Sequence, residues 1–361
     1  MRAADLLTLA VQRKASDLHL NPGRPPVLRI DGNLVSLEGA PLDDATAEAL
    51  CREITDERHW KEVEARGTTD FGLAHSTGNR FRVSVMRQRG RHSAVLRQIP
   101  SRLLSFEEIG LPPACVELLR RPRGLVLVTG PTGSGKTTTL ASMIDWINTN
   151  QDRHIVTVED PIEYYHGHKK GLVTQREVGS DVPDFPEAIR RALRQDPDVI
   201  LLGEMRDLET ISSAITAAET GHLVFGTLHT TGSARTVDRM IDAFPAHQQE
   251  QIRAQLSTAL LAVISQALLP KAEGSGVVAA FEIMIITDAI GHNIRENQTH
   301  KITSSIQTGA AQGMILLDDF LYNLFLQKKI TYQTMMTAAQ NPADLETKIK
   351  EYTYAQQQGK K

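Results

Sequence analysis

The chain of 361 residues has only two cysteines, Cys51 and Cys115, far apart in sequence. That excludes a disulfide scaffold and a four-cysteine zinc site, and it fits reduced structural thiols. Long apolar runs are missing too. The most apolar stretch, residues 254–269, is about three-quarters of a membrane span and carries Gln255, Ser257, Thr258, Ser265 and Gln266. No transmembrane segment is expected. Residues 1–10 lack the basic start and sustained apolar core of a secretory signal, which points to the cytosol. Neither sign of charge is in large excess: 40 Lys and Arg against 43 Asp and Glu give a formal charge of -3. A global footprint for nucleic acid is therefore absent. No internal repeat is found, and low complexity is confined to the tail after Thr353, which reads as disordered.

What is present is an ordinary globular composition, 41% hydrophobic and 23% charged, on a chain longer than one core usually fills. Two domains follow as the expectation. Residues 1–98 read as a small α+β domain. Asp5 to Arg13 is expected as a short amphipathic helix, Ser16 to Leu20 and Val27 to Ile30 as strands, and Asp31-Gly32 as a hairpin turn. Leu42 to Glu64 is expected as one helix, and Thr69 to Ala74, Asn79 to Gln88 and Arg91 to Ile99 as consecutive antiparallel strands. The last two strands are rich in arginine, including Arg80, Arg82, Arg87, Arg91 and Arg97. Solvated sheet faces explain each of these singly; one or two facing a phosphate across a cleft is the sharper alternative. Residues 99–114 read as an ordered linker because they carry Leu103, Leu104, Phe106 and Ile109.

From residue 115 strands alternate with helices, the pattern of a parallel sheet. Within it lies Gly130-Pro131-Thr132-Gly133-Ser134-Gly135-Lys136-Thr137-Thr138, between an apolar strand at 125–128 and a helix-forming run. Glycines at these positions let consecutive N–H groups curl round an anion at the positive end of a helix, with Lys136 reaching the terminal phosphates. The Thr137 hydroxyl would join a magnesium shell. Two more strands end in acids: 154–158, followed by Glu159 to Glu163, and 198–202, followed by Gly203-Glu204. Carboxylates on the edge that carries a phosphate loop are where a metal ion and an attacking water belong, so Glu204 is the candidate general base. His222 and His229 bracket a further apolar strand; core or surface histidines are the bland account, and a role beside the nucleotide edge the sharper one. His166 and His168 read as surface residues. After Ala243 the chain is expected to be mainly helical, with helices at 248–262 and 314–327 and strands at 263–269 and 277–284.

These motifs, in this order, resemble the type II/IV secretion ATPase superfamily over nearly the whole chain: the phosphate loop Gly130 to Thr137, the acidic box Glu159 to Glu163, the strand Asp198 to Glu204 and the histidine box Thr220 to His229. Ser16-Asp17-Leu18-His19 and Arg29-Ile30-Asp31-Gly32 also match the family's PAS-like N-terminal domain. The resemblance implies a PAS-like domain followed by a RecA-like ATPase domain with a helical C-terminal part. It further implies a homohexamer, ATP and Mg2+ as ligands, and ATP seated between the two domains. By the same analogy Glu204 is the catalytic glutamate, Glu163 assists through metal or water, and Arg82 and Arg97 reach phosphates. His222 and His229 would couple the site to subunit contacts. Partners implied are an inner-membrane pilus platform protein and a paralogous pilus ATPase, which would hold the chain at the inner face of the inner membrane. With two cysteines and a start at the PAS-like domain, the chain is similar to the pilus-retraction branch rather than to the assembly and type II secretion ATPases. Against that, the branch's Ala-Ile-Arg-Asn-Leu-Ile-Arg-Glu signature is here Ala289-Ile290-Gly291-His292-Asn293-Ile294-Arg295-Glu296. An accessory paralogue, or a nucleotide gate of slow turnover, therefore stays open beside the motor. A small-molecule P-loop kinase has no evident acceptor pocket or lid sequence to support it.

Overall fold

The computed structural model describes residues 2–30, 32–75, 78–99 and 102–358, with side chains through 352. Asp31 of the expected hairpin turn and Pro100 and Ser101 of the expected linker fall outside them. The chain forms two compact units: residues through Leu103 together with Glu159–His166, and Leu104–Val158 together with the residues from Gly167 onward.

The first unit begins with α1 (Ala3–Gln12), β1 (Asp17–Leu20), β2 (Val27–Ile30) and β3 (Asn33–Ser36). It continues with α2 (Asp44–Ile54), α3 (Glu57–Arg66), β4 (Thr68–Ala74), β5 (Arg80–Gln88) and β6 (Arg91–Ile99). The strands form one antiparallel sheet in the order β3-β2-β1-β6-β5-β4. Helix periodicity suggests a single helix over 42–64, but two are found. Asp56 ends the first by capping the second, its carboxylate accepting the His59 N–H at 2.9 Å, as Asp43 does for Thr46 at 2.7 Å. Leu6, Leu7, Leu18, Leu20, Leu50, Trp60, Val83 and Leu96 belong to the core between helices and sheet.

The second unit opens with α4 (Phe106–Ile109) and α5 (Ala114–Leu118). Then come β7 (Gly124–Thr129), α6 (Lys136–Asn150), β8 (His154–Glu159), β9 (Leu172–Glu177) and α7 (Phe185–Ala192). These are followed by β10 (Val199–Leu202), α8 (Leu208–Glu219), β11 (Leu223–Leu228), α9 (Ser233–Asp242) and α10 (Ala246–Ala259). The chain closes with β12 (Leu260–Pro270), β13 (Val277–Ile285), α11 (Asp288–Arg295), α12 (Ile302–Thr308), α13 (Leu317–Leu326), α14 (Tyr332–Ala338) and α15 (Pro342–Gln358). Sheet order is β13-β12-β7-β11-β10-β8-β9; β12, β7, β11, β10 and β8 run parallel, and β13 turns back against β12.

Alternation along the strands feeds two cores. Leu125, Leu127, Ile200, Leu202 and Val224 pack with α8 to α12, while Val126, Val128, Leu201 and Phe225 pack with α6 and the α4–α5 segment. Burial on both faces explains why these strands read as continuous apolar runs. The apolar stretch 254–269 is the end of α10 running into β12, and none of the helices among the described residues is long and apolar enough to cross a membrane. The tail after Thr353, expected to be disordered, continues α15 to Gln358; residues 359–361 lie outside the description.

Candidate functional site

The carboxyl ends of the parallel strands form one edge. Thr129 of β7 stands opposite Leu228 of β11, and Leu202 of β10 is paired with Gly226 of β11 and Val158 of β8. The loops leaving that edge lock onto each other: Gly130 N–H donates to the Leu228 carbonyl at 3.3 Å, Gly203 N–H to Val158 at 2.8 Å and Met205 N–H to Thr227 at 3.0 Å. Any open α/β sheet binds its ligands at this edge.

Residues 130–135 make the tight turn between β7 and α6. Gly130, Gly133 and Gly135 have φ of 141°, 79° and 86°, in the region that favours glycine. Space imposes a second requirement. A Cβ on Gly130 would run into the Gln266 carbonyl oxygen, and one on Gly135 would sit 2.8 Å from Gln266 Nε2. Gln266, 3% exposed in β12, is thus the wall of the loop, and its Oε1 accepts the Thr139 hydroxyl at 2.8 Å. Sequence reading passed over Gln266 because its partners lie more than 120 positions earlier. Lys136 is 9% exposed, its Nζ donating to the carbonyls of Gly130 at 2.7 Å and Pro131 at 3.0 Å. An ammonium at the mouth of a ring of N–H groups is a site for a polyphosphate.

Glu204, just past β10, has two nitrogens on one oxygen: Arg206 Nε is 2.6 Å and His229 Nε2 2.9 Å from Oε1. Burial alone would push its pKa up; Arg206 and then His229 outweigh this and hold the carboxyl below its ordinary value. It is therefore ionised at neutral pH. His229 directly follows β11 at the edge that carries the phosphate loop. His222 does not reach that edge: it precedes β11, its carbonyl accepts the Gly124 N–H at 3.0 Å, and its Nδ1 lies 2.9 Å from the Ala217 carbonyl. A six-residue strand separates the two histidines, roughly 20 Å at the usual rise. The expectation that both stand beside the nucleotide edge is corrected for His222.

Glu163, in the segment that belongs to the first unit, lies 4.0 Å from Arg82 Nη1. Arg82 and Arg97 are directly opposite on β5 and β6, and Asp17 of β1 is opposite Arg97, so one face carries a row of charges. Arg97 Nε bonds Asp17 Oδ1 at 2.9 Å, while Arg82 keeps nearly half of its side chain exposed. Arg80 is turned inward, 7% exposed, its guanidinium 3.8 Å over the ring of Tyr165.

Beside the phosphate loop the second unit has a recess of about 560 Å³, lined among others by Leu104, Ile109, Thr138, Leu268 and Val277. It starts at the first turn of α6 and is mostly apolar, with Lys271 and Glu273 paired at 3.4 Å among its lining. No group of three or more His, Cys, Asp or Glu suited to a metal occurs among the described residues. The Thr137 hydroxyl and the Glu204 carboxylate are hard oxygen donors of the kind Mg2+ takes together with phosphate oxygens.

A RecA-like sheet with a phosphate loop after β7 and an ionised glutamate just past β10, the next strand but one, defines a P-loop nucleotide-binding protein, and residues 3–355 match the type II/IV secretion system protein family. The chain belongs to that family. It is 48% identical over 342 residues to the "Type IV pilus retractation ATPase PilT" of Pseudomonas aeruginosa, covering 95% of this chain and 99% of that protein. It is 36% identical over 350 residues to the "Type IV pilus ATPase PilU" of the same organism, covering 97% and 92%. Among solved structures, that of the pilus retraction motor PilT with bound ADP superposes with a TM-score of 0.90 at 46% identity, covering 96% of this chain and 99% of that one.

Proposed function

We propose that this chain is an ATPase motor that works in type IV pilus retraction, the activity named for its relative of 48% identity. One observation supports it above the others. The phosphate loop and Glu204 share a single sheet edge, and Arg206 and His229 both contact one Glu204 oxygen there. ATP phosphates enter the N–H ring at 130–137, Lys136 Nζ gives up a loop carbonyl for a phosphate oxygen, and the purine occupies the recess beside α6. Glu204 accepts the proton of the attacking water and orients it. Mg2+, held by Thr137 with Glu163 or Glu204, would offset charge on the β- and γ-phosphates. Arg82 and Arg97 are the proposed guanidinium contacts to phosphate, and Asp17 already engages the second of them.

The reading extends to a homohexamer, to a cytoplasmic protein held at the inner membrane by a platform protein, and to cooperation with a paralogous ATPase. A second reading, an accessory or gating subunit, is favoured by Gly291 on α11. There a Cβ would come 3.1 Å from the Ser257 carbonyl, so the helix packs on α10 where the retraction signature carries arginine. Phosphate release across a protein concentration series, with particle masses measured on the same samples, separates the readings. A motor shows steady turnover that rises as six-subunit rings form and that Glu204→Gln lowers at least a hundredfold while ADP still binds. Rings with negligible turnover support the gate, and near-normal turnover in Glu204→Gln refutes the assigned base.

A further inference from the structure

The turn that follows His229 is held from a distance by a buried carboxylate. Glu282 in β13 is 4% exposed, between Phe281 and Ile283, which are fully buried. Its Oε1 accepts the Ser233 N–H, at the first residue of α9, at 2.6 Å, and its Oε2 accepts Gln340 Nε2 at 3.3 Å. Ser265, directly opposite on β12, accepts the neighbouring Gly232 N–H at 3.0 Å. The turn is closed on its own side by the Thr230 and Thr236 hydroxyls, 2.7 Å apart, and by Thr236 donating to the Gly232 carbonyl at 2.8 Å. Gly232 has φ of 86°, and a Cβ there would come within 3.5 Å of Gln340 Nε2. Gln340 is itself delivered by Asp318 at the start of α13, which accepts the N–H groups of Gln340 and Asn341 at 2.8 and 2.7 Å.

A polar group taken this far into a core is costly unless hydrogen bonds compensate it. The hydrogen bonds here run to two places: Ser233, four residues beyond His229 at the start of α9, and Gln340 in the loop between α14 and α15. His229 Nε2 is one of the two nitrogens that contact Glu204 Oε1. A chain of bonded groups therefore leads from the C-terminal helices through Asp318, Gln340, Glu282 and Ser233 to the loop that carries His229.

We propose that Glu282 is a positioning residue for His229, and that through Gln340 it lets the C-terminal helices α13 to α15 act on Glu204. The proposal rests on the reading of Glu204 given above. Glu282 touches neither nucleotide nor water. Its task is to hold the end of the histidine loop so that His229 stays on the glutamate, and displacement of the α14–α15 loop releases that hold.

The test uses the full-length protein. Glu282→Met keeps the length but removes both acceptors, leaving the Ser233 N–H and the Gln340 amide without their Glu282 partner. We expect kcat to fall about tenfold with KM for ATP and ADP affinity within twofold, and deuterium exchange to rise over residues 228–234. Glu282→Gln should retain both, because its amide oxygen accepts from Ser233 while its nitrogen donates to Gln340 Oε1 once that amide rotates. Unchanged kcat and exchange in Glu282→Met overturn the proposal. So does a loss in Glu282→Met shared by kcat, ADP affinity and thermal stability, since that is general loosening of the fold. The exchange readout needs no turnover: if the unaltered protein hydrolyses nothing, the functional reading fails while exchange still decides the positioning.

Discussion

Asp17 is 5% exposed, yet its carboxylate meets the Ser16 hydroxyl at 2.7 Å, Arg97 at 2.9 Å and Arg29 at 3.7 Å. Burial alone would raise its pKa; the Ser16 hydroxyl and then Arg97 outweigh it and hold the carboxyl below its ordinary value. A depressed folded-state pKa contributes stability above the unfolded value, about 3.9, and that contribution is lost as pH falls through the folded value. Asp17→Asn should thus cost about 2 kcal/mol at pH 7. The gap to the parent protein should narrow as pH falls below the ordinary aspartate value, read from urea midpoints at neutral and acid pH. The expectation that Cys51 and Cys115 are reduced structural thiols agrees with two free, buried side chains whose thiols burial pushes up to about 12. Lys136 and Glu204 were legible because glycine spacing and an acid at a strand end announce themselves in sequence. Gln266, Glu282 and Gln340 were not: each acts through partners about 50 to 130 positions away, and nothing in their neighbours' composition marks them.

Among the elements, β7, β8, β10 and β11 were legible from their apolar runs, while β9, only one of whose six residues is buried, was not. The residue-42 helix was misjudged in length because apolar spacing carries straight through Thr55, where only the capping preference of Asp56 signals a break. β3 was missed because all four of its residues are exposed, so no alternation of burial supports it. The short α4 is held by a capping box, Ser105 and Glu108 each bonding the other's N–H at 3.2 and 2.9 Å. Leu104 beside it accepts the Ser142 hydroxyl at 2.7 Å, which ties this helix to α6 along the recess. Ser105→Ala should lower stability by about 1 kcal/mol in chemical denaturation, and weaken ADP binding severalfold by titration calorimetry. Loss of stability with unaltered ADP affinity would detach α4 from the recess.

At the scale of the whole chain, each unit has a core of its own: Leu18, Val83 and Leu96 sit in one, while Leu127, Ile200 and Phe225 sit in the cores of the other. Separate cores allow separate melting. Calorimetry should therefore resolve more than one transition, and ADP at a hundred times its dissociation constant should add about 2.7 kcal/mol to the one that contains the phosphate loop. A single transition at every ADP concentration would contradict this. The loop itself has a further consequence. Its glycines and lysine leave the ribosome early, but its wall is Gln266, in a strand made some 130 residues later. Parallel pairing of β12 with β7 is a contact of long sequence separation, and such contacts form late. During synthesis the nascent chain thus carries the whole phosphate motif for several seconds in a form that has no rigid cradle, and nucleotide can assist only the last stage of its folding.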